Sequence, residues 1–352
     1  MIERRPEDAQ TLYAELLTLL LTLDADRGWS HLAGTFTEKS ISGGDYIYFQ
    51  YSDPGGKKRQ LSIGLKTKAI EAILTEQRQQ RSQHLEERAP IERLARLLHA
   101  AGILALPHAV ARVLGALADA GVFRLGGVLV GSYAFSLVGN ALGVSWPEAA
   151  WRTQDVDVAS HLLIATPPLA ADVPSALDSL QMGFVPVPQL DPRHASTSFK
   201  VRGKQLRVDL LTPGAEGQED PVFVPRLRAA AAPIKYLSLL IDEAEPAPAI
   251  FSRGAVLVVI PTPARLALHK LLVSQMRSLV QQTKSGKDLH QAALLIEVLA
   301  EDRPDDLEAA GRVFAKSGPA VTTKVLRGLA AAEKRWPEVA AGGRLVRSAM
   351  RG

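Results

Sequence analysis

A short apolar segment that ends in two small residues limits the folds open to this chain more than any other stretch. The apolar run of residues 125–130 predicts a buried strand. Gly131 follows it and lacks a Cβ, which suits a place where another group approaches closely. Ser132 can cap a following helix, whose free amides and positive dipole end suit a phosphate. A Gly-Ser pair alone is a weak signal, because a tightly packed turn uses the same residues.

Three aspartates lie in strand-like segments further along the chain. Asp155 and Asp157 are two residues apart, and alternate residues of a strand share one face. Two such carboxylates raise each other's pKa unless a cation lies between them, and Mg²⁺ prefers oxygen ligands. An exposed acidic strand edge would give the same pair. Asp209, however, is a third acid in an apolar strand, where an unpaired charge is costly, and it favours a metal site.

Length and composition define the class of protein. A chain of 352 residues predicts two or three domains. Its 47% hydrophobic and 22% charged residues are typical of a soluble globular protein. The absence of cysteine excludes disulfides, thiolate metal sites and cysteine nucleophiles. Without a signal-like N-terminus or an apolar run near the roughly 20 residues of a membrane helix, we expect a cytoplasmic protein with no membrane partner.

Two other kinds of site are not expected. The sequence has no Walker-type loop, since Gly203-Lys204 falls in a hairpin, so a P-loop enzyme is not expected. The histidines at 161, 194 and 290 lack the spacing of metal ligands, which argues against a histidine metal centre.

The N-terminal part is predicted to be a hairpin with helices. An amphipathic helix is expected over residues 6–26, strands over 45–51 and 60–65, and a turn at Asp53-Pro-Gly-Gly. Residues 66–99 are charged and helical, and Pro90 is expected to break that helix in two.

Basic residues are concentrated in residues 54–100. This segment has ten Lys or Arg against five Glu, a balance that favours a polyanionic partner, although a solvated helix face explains it equally well. Aromatic residues and Lys57–Arg59 on one hairpin could bind nucleic acid. A hairpin whose aromatic face packs on a helix explains the same residues and is the favoured interpretation.

The rest of the chain alternates helices and strands before it becomes helical. A helix is predicted over residues 108–120, and further strands within 225–240 and 250–260, with Pro246-Ala-Pro248 as the turn between them. The helical part starts at residues 261–263, and residues 303–352 offer no site.

The order Gly131-Ser132, then Asp155-Val-Asp157, then Asp209 resembles the DNA polymerase β-type nucleotidyltransferase superfamily. The resemblance covers about residues 108–300. It implies that the Gly-Ser turn binds triphosphate, that the paired acids bind two metals, and that Asp209 binds the metal nearer the acceptor and helps to activate its hydroxyl. Metals roughly 3.5–4 Å apart would stabilise both the attacking and the leaving oxygen. The interval of residues 133–154 is longer than usual in that superfamily, and a lengthened helix with the loop Gly143–Pro147 accounts for it.

A second part of the resemblance lies in the helices. Lys270 and Asp288 match positions in nucleotidyltransferases of toxin–antitoxin and abortive-infection systems, where a helix-borne Lys contacts the triphosphate and a later Asp completes the site. The segment Arg152-Thr153-Gln154 likewise resembles the approach to the acids in bacterial members. Lys270 could instead extend from an amphipathic helix to solvent, and Asp288 could cap the next helix.

Together these features predict an α+β protein with a nucleotidyltransferase-fold mixed sheet. We expect an N-terminal module over residues 1–105, a nucleotidyltransferase core over 106–262 and a helical domain over 263–352. The predicted reaction moves a nucleoside monophosphate from an NTP such as ATP to an acceptor hydroxyl, with Mg²⁺ or Mn²⁺, and releases pyrophosphate. RNA, with a tRNA 3′ end as one form, is the favoured acceptor, in a toxin or phage-defence role with an antitoxin partner. The alternatives are a protein-modifying, AMPylating-type enzyme and a non-catalytic nucleotide-binding protein.

Overall fold

The computed structural model describes residues 2–26, 34–41, 44–52, 58–147, 150, 155–160, 172–277 and 282–351. For some of these, including residues 76–87 and 155–160, it describes the backbone alone. The predicted turn at residues 53–56, Lys57, residues 152–154 and His161 lie outside the described part.

The strands are numbered here in chain order. They are β1 Glu3–Arg4, β2 Gly34–Ile41, β3 Gly44–Ser52, β4 Lys58–Leu65, β5 Gly127–Val130, β6 Val144–Ser145, β7 Asp155–Ser160, β8 Phe184–Pro186, β9 Ser198–Val201, β10 Arg207–Gly214, β11 Val222–Val224, β12 Ala229–Lys235, β13 Ala244–Phe251 and β14 Gly254–Pro261.

The helices are numbered in the same way. They are α1 Glu7–Asp26, α2 Lys68–Ala100, α3 His108–Asp119, α4 Gly131–Ala141, α5 Val173–Ser179, α6 Leu237–Ile241, α7 Pro263–Ser274, α8 Gln282–Asp302, α9 Pro304–Lys316, α10 Pro319–Arg335 and α11 Ala340–Ala349. Short 3-10 turns occur at Pro225–Leu227 and Pro337–Val339.

A mixed sheet with the strand order β11-β12-β10-β7-β5 forms the centre of the molecule. Strand β10 runs parallel to both β7 and β12, while β5 is antiparallel to β7 and β9 is antiparallel to β10. In β10 the residues Val208, Leu210 and Thr212 are buried and their neighbours are partly exposed, as expected for a strand with one face on the core. The mixed sheet and the helical C-terminal region confirm the predicted α+β class.

The long helix α2 is continuous through Pro90, so the predicted break is wrong. A proline inside a helix removes one backbone hydrogen bond and its ring crowds the preceding turn. Just beyond the proline, Leu94, Ala95 and Leu98 are buried against α1, and this packing keeps the following turns helical. The packing energy therefore outweighs the local cost of the proline.

The N-terminal sheet has three strands in the order β2-β3-β4 rather than the two of a simple hairpin. Strands β3 and β4 match the predicted ones, whereas β2 was not predicted, because Thr, Glu, Lys and Ser dominate its sequence. Ile47 in β3 is 2% exposed, and Tyr46 and Tyr48 on the other face are partly exposed.

Strands β13 and β14 form a hairpin whose turn lies at Ser252-Arg253, so the turn predicted at Pro246–Pro248 is wrong. Both prolines lie inside β13, where they are opposite Val259 and Leu257. Because they are two residues apart, the positions of their missing N–H groups face the same edge of the strand. Pairing with β14 can then use the opposite edge, and the strand tolerates both prolines.

Two hydrophobic cores hold these elements together. The larger one includes Leu129 and Leu210 of the central sheet, and also Leu268 and Leu299 of the C-terminal helices. The smaller one joins α1 and α2 to Ile250 of the β13–β14 hairpin. Each core therefore crosses a domain boundary expected from the sequence, and these boundaries stay predictions. In the described part, no helix combines the length and apolar character needed to cross a membrane.

Candidate active site

The register of the central sheet places the three predicted acids in adjacent strands. Asp157 pairs with Val130 of β5 on one side and with Asp209 of β10 on the other. Asp155 pairs with Arg207 in the same way. Neighbouring strands are about 4.8 Å apart, so the backbones of Asp157 and Asp209 are direct neighbours. The side chains of Asp155 and Asp157 lie outside the described part.

Helix α4 begins where β5 ends, beside this row of backbone positions. Gly131 is its first residue and has a φ of 77°, a left-handed conformation that favours glycine. Val130 is at the N-cap position and no side chain caps the helix there. Ser132 is therefore in the first turn and not the cap that the sequence suggested, and its carbonyl accepts a hydrogen bond from Ser136 Oγ at 2.9 Å. The amides of Gly131 and Ser132, at the start of this helix, are in the position that suits an anion.

The carboxylate of Asp209 is held by two neighbours on the same sheet face. Arg207 Nε donates a hydrogen bond of 2.7 Å to Asp209 Oδ1, and Ser198 Oγ donates to the same oxygen. Arg207 Nη2 also donates to Ser198 Oγ at 2.7 Å. The Asp209 side chain is 20% exposed and that of Arg207 is 42% exposed, so this acid faces solvent at the surface of the sheet.

The donors present suit a hard divalent cation. Asp209 is one carboxylate, and the register brings the backbones of the other two predicted ligands next to it. Magnesium is commonly bound by one or two carboxylates together with substrate phosphates, so three acids on adjacent strands are sufficient. Among the described side chains, there is no group of three or more His, Asp or Glu residues that could hold a metal ion. Asp155 and Asp157, whose side chains lie outside the described part, stay predicted ligands beside Asp209.

Lys270 and Asp288, the two helical positions of the resemblance, contact each other. Lys270 Nζ is 3.3 Å from Asp288 Oδ1, and Arg277 Nε is 2.7 Å from Asp288 Oδ2. The Lys270 and Asp288 side chains are only 8% and 12% exposed. Asp288 is inside α8, so it does not cap that helix, and Lys270 does not extend to solvent. The structure thus contradicts both interpretations in which these residues have no role in a site.

Two neighbours of this ion pair define its surroundings. His269 is fully buried, and burial together with the positive charge of Lys270 lowers its pKa to about 4, so it is neutral at physiological pH. Gln291, one helical turn beyond Asp288, donates a hydrogen bond from Nε2 to the carbonyl of Ala150. The same helix face therefore contacts the segment that leads into β7, five residues before Asp155.

The long interval between Gly131 and Asp155 is partly ordered by an aromatic pair. The Trp146 ring stacks on Phe135 of α4 at 4.8 Å, and Trp146 Nε1 donates a hydrogen bond of 2.8 Å to the Phe135 carbonyl. Strand β6, just before Trp146, pairs with β1 at the N-terminus. The chain thus folds back on α4 and anchors to the N-terminal segment before it returns to the sheet.

Comparison with known proteins agrees with this arrangement. A family model described as nucleotidyltransferase matches residues 108–315, which include Gly131, all three acids and the Lys270–Asp288 pair. The chain belongs to this nucleotidyltransferase family. No functionally characterised protein gives a significant match. Among solved structures, the chain is similar to an antigenic nucleotidyltransferase-like protein from Paracoccidioides brasiliensis, with 14% identity over 69% of this chain and 95% of that chain and a TM-score of 0.38, a likeness too slight to add to the assignment.

Sequence reasoning about this nucleotidyltransferase missed several of the residues around its acids. Ser198 and Arg207 contact Asp209, Arg277 contacts Asp288, and Gln291 contacts Ala150. Arg207 had a signal in the sequence, because it is two residues before Asp209 and so shares its strand face. Ser198 and Arg277 had none, because their contacts depend on strand register and helix packing.

Proposed function

We propose that this nucleotidyltransferase moves a nucleoside monophosphate from an NTP to an acceptor hydroxyl, with Mg²⁺ or Mn²⁺. The observation that carries the proposal is the backbone row Val130–Asp157–Asp209, which joins the start of α4 to both acid-bearing strands. One end of that row leads to the amides of Gly131 and Ser132, which suit phosphate, and the other ends at the Asp209 carboxylate. A substrate that carries both phosphates and metal ions fits this combination.

In the proposed reaction, the acceptor oxygen forms a bond to the α-phosphorus while the bond to the pyrophosphate oxygen breaks. The first-turn amides from Gly131 and Ser132 hold the triphosphate, and Asp209 lies beside the acceptor, where it helps to remove the hydroxyl proton. A divalent cation held by Asp155, Asp157 and Asp209 would neutralise charge on the phosphates and polarise the acceptor oxygen. Positioning and electrostatics then supply most of the rate enhancement.

Lys270 and Asp288 are assigned to the triphosphate end of the site. Support comes from the contact between Gln291, on the same helix face as Asp288, and Ala150, shortly before the first acid. Arg277 adds a second cation, so the Lys270, Arg277 and Asp288 cluster has a net positive charge that suits a polyphosphate. Asp288 holds both cations in place before the nucleotide arrives.

The acceptor that we propose is RNA, with a tRNA 3′ end as one form. Support comes from exposed basic residues on α2, which include Lys68, Arg88 and Arg96. Some neighbouring charges are already balanced, since Lys66 pairs with Glu38 and Arg93 with Glu15. Tyr48 on β3 is partly exposed and has Lys39 Nζ 5.1 Å from its ring centroid, an arrangement that suits a stacked base beside a phosphate.

The same reaction on RNA in the cytoplasm would suit a toxin or phage-defence protein with a neutralising antitoxin. The test is growth of cells that express the wild type or Asp157→Asn under an inducible promoter. Arrest by the wild type alone supports this role, and unimpaired growth with an active enzyme contradicts it.

Labelled NTPs test the chemistry directly. The wild type, Asp157→Asn and Asp305→Asn are incubated with each NTP, Mg²⁺ or Mn²⁺ and total cellular RNA or protein, and pyrophosphate release is followed. Asp305 is an exposed acid in the first turn of α9, so its variant loses the same charge outside the sheet. We expect labelled RNA from the wild type and Asp305→Asn only. Labelled protein would identify an AMPylating-type enzyme, and no transfer from any NTP would leave a nucleotide-binding protein.

The role of α2 is tested by charge substitution. A truncation before residue 100 would uncover Ile250 of the small core, so the full chain is kept. Arg88→Gln with Arg96→Gln should weaken RNA binding and leave NTP binding unchanged. Unchanged RNA affinity would contradict the assignment of α2 to the acceptor.

A further inference from the structure

Three polar groups close a small triangle beside the predicted metal site. Ser198 Oγ and Arg207 Nε both donate to Asp209 Oδ1, and Arg207 Nη2 donates to Ser198 Oγ. Each group contacts the other two, so none can rotate without breaking two hydrogen bonds. The Asp209 carboxylate is therefore fixed through a single oxygen.

The strand register produces this triangle. Ser198 of β9 is directly opposite Asp209 of β10, and Arg207 precedes Asp209 by two residues on the same face. Phe199 and Val208, which are also opposite each other, are buried on the other face and hold the two strands together. Ser198 is 4% exposed, so its hydroxyl is firmly placed and forms its hydrogen bonds with little competition from water.

We propose that Ser198 and Arg207 are positioning residues that fix Asp209 by Oδ1 and direct Oδ2 toward the divalent cation. The proposal rests on the metal-dependent reaction described above. Hydrogen bonds to a ligating carboxylate orient it, and their loss typically lowers metal affinity or activity by about 10–100-fold. In this role both residues act on the reaction through Asp209 alone.

A purely electrostatic role for Arg207 predicts the opposite result. Its guanidinium is a positive charge next to a cation site, and by charge alone its removal would strengthen cation binding. Lys200 provides the control for this charge effect on cation binding, because it is exposed on the same face and opposite Arg207 in the register. The hydrogen bonds described for Asp209 come from Ser198 and Arg207, so Lys200→Gln removes a nearby charge and keeps the triangle.

The direct test is Mn²⁺ binding to the full-length protein by titration calorimetry. It compares the wild type, Ser198→Ala, Arg207→Lys, Lys200→Gln and Asp209→Asn. Ser198→Ala changes no charge, and Arg207→Lys keeps the charge but loses the two-pronged contact. We expect both to bind Mn²⁺ about 10-fold or more weakly, and Lys200→Gln to bind as tightly as the wild type or tighter. Thermal unfolding should be similar for all five proteins.

Activity provides a second measurement. The Mn²⁺ concentration for half-maximal transfer should rise in Ser198→Ala and Arg207→Lys, while KM for the NTP at saturating Mn²⁺ stays the same. Wild-type Mn²⁺ affinity in both variants would overturn the proposal and leave the metal-dependent reaction intact. If the wild type binds no Mn²⁺, or Asp209→Asn binds it equally well, the metal assignment itself fails and the positioning role fails with it.

Discussion

The two acid clusters of this chain differ in exposure and in charge balance. On the central sheet, Asp209 is 20% exposed and contacts Arg207, itself 42% exposed. In the helical region, Asp288 is 12% exposed and lies between Lys270, at 8%, and Arg277. The first cluster is more exposed to solvent, whereas the second is more deeply buried and has more positive than negative charge.

This difference separates the roles that the two acids can have. A partly exposed carboxylate such as Asp209 costs less free energy to keep charged than a buried one and can accept a cation from solvent. A buried one must be compensated, because its desolvation is expensive, and it supports the cations around it. Asp209 should therefore matter mainly for chemistry, and Asp288 mainly for keeping Lys270 and Arg277 in place.

The largest effect is expected from Asp209→Asn. The variant keeps the shape of the side chain but loses the charge, and stabilisation of transition-state charge by a metal ion is worth several kcal/mol. Nucleotidyl transfer should fall by roughly 10³–10⁴-fold, equivalent to about 4–5.5 kcal/mol in the barrier. Pyrophosphate release at saturating NTP and Mg²⁺ measures it.

Stability is the control for that prediction. Because Asp209 is partly exposed, the melting temperature of Asp209→Asn should remain close to that of the wild type. An active Asp209→Asn enzyme would remove Asp209 from the site, and a large drop in melting temperature would make it a structural residue like Asp288.

Asp288→Asn, unlike Asp209→Asn, should lower mainly the stability of the protein. It leaves Lys270 and Arg277 without a counter-charge in a buried place, and removal of one partner of a buried ion pair costs about 3–5 kcal/mol. Denaturant unfolding should show this loss, whereas Asp305→Asn, at an exposed position, should change stability by less than about 1 kcal/mol. A stable Asp288→Asn protein that no longer binds NTP would instead give Asp288 a direct role in the site.

The strands of the site could be predicted from sequence because each carries an isolated acid or a glycine in an apolar segment. Strands β5, β7 and β10 were found in this way, and α3 matches the helix predicted over residues 108–120. Strand β2 was missed because its polar residues lack a clear alternation, and it is ordered by pairing with β3. The prolines of β13 suggested a turn because local rules do not reveal which edge of a strand is paired.

The contacts around the acids depend on tertiary structure. Ser198 is 11 residues before Asp209, and only the pairing of β9 with β10 brings them together. Arg277 reaches Asp288 because α7 and α8 pack against each other, which helical periodicity alone does not specify. The sequence thus identifies the candidate acids, whereas the tertiary fold determines which side chains contact them.

The pH dependence of stability offers a second test of the buried cluster. Burial, with Lys270 and Arg277 nearby and Asp288 opposing them, lowers the pKa of His269 from 6.5 to about 4. Between these pH values the unfolded chain binds more protons than the folded one, so stability rises with pH. The contribution of His269 to the free energy of unfolding is complete above about pH 6.5 and is lost as the pH falls to 4. This free energy changes by up to roughly 3 kcal/mol.

Urea unfolding between pH 5 and 7 measures this slope, and His269→Gln should flatten it. The difference between the two proteins isolates the histidine from the carboxylates, which also titrate in acid. A histidine NMR signal that titrates near pH 6.5 in the folded wild type would contradict the buried, neutral state of His269.

The smallest effect in this comparison is expected at Gly131, at the open end of the site. Its φ of 77° is a conformation that costs a residue with a side chain roughly 1–2 kcal/mol, so Gly131→Ala should lower stability by about that amount. It should also raise KM for the NTP, because the first-turn amides shift as the strain is relieved.

Gly115 in the middle of α3 is the matched control, since a Cβ there would meet no atom within 4 Å. Gly115→Ala should stabilise the helix by about 0.5–1 kcal/mol and leave KM unchanged. If Gly131→Ala behaves like Gly115→Ala in both measurements, the turn is only a tight connection between β5 and α4, and the triphosphate must bind elsewhere.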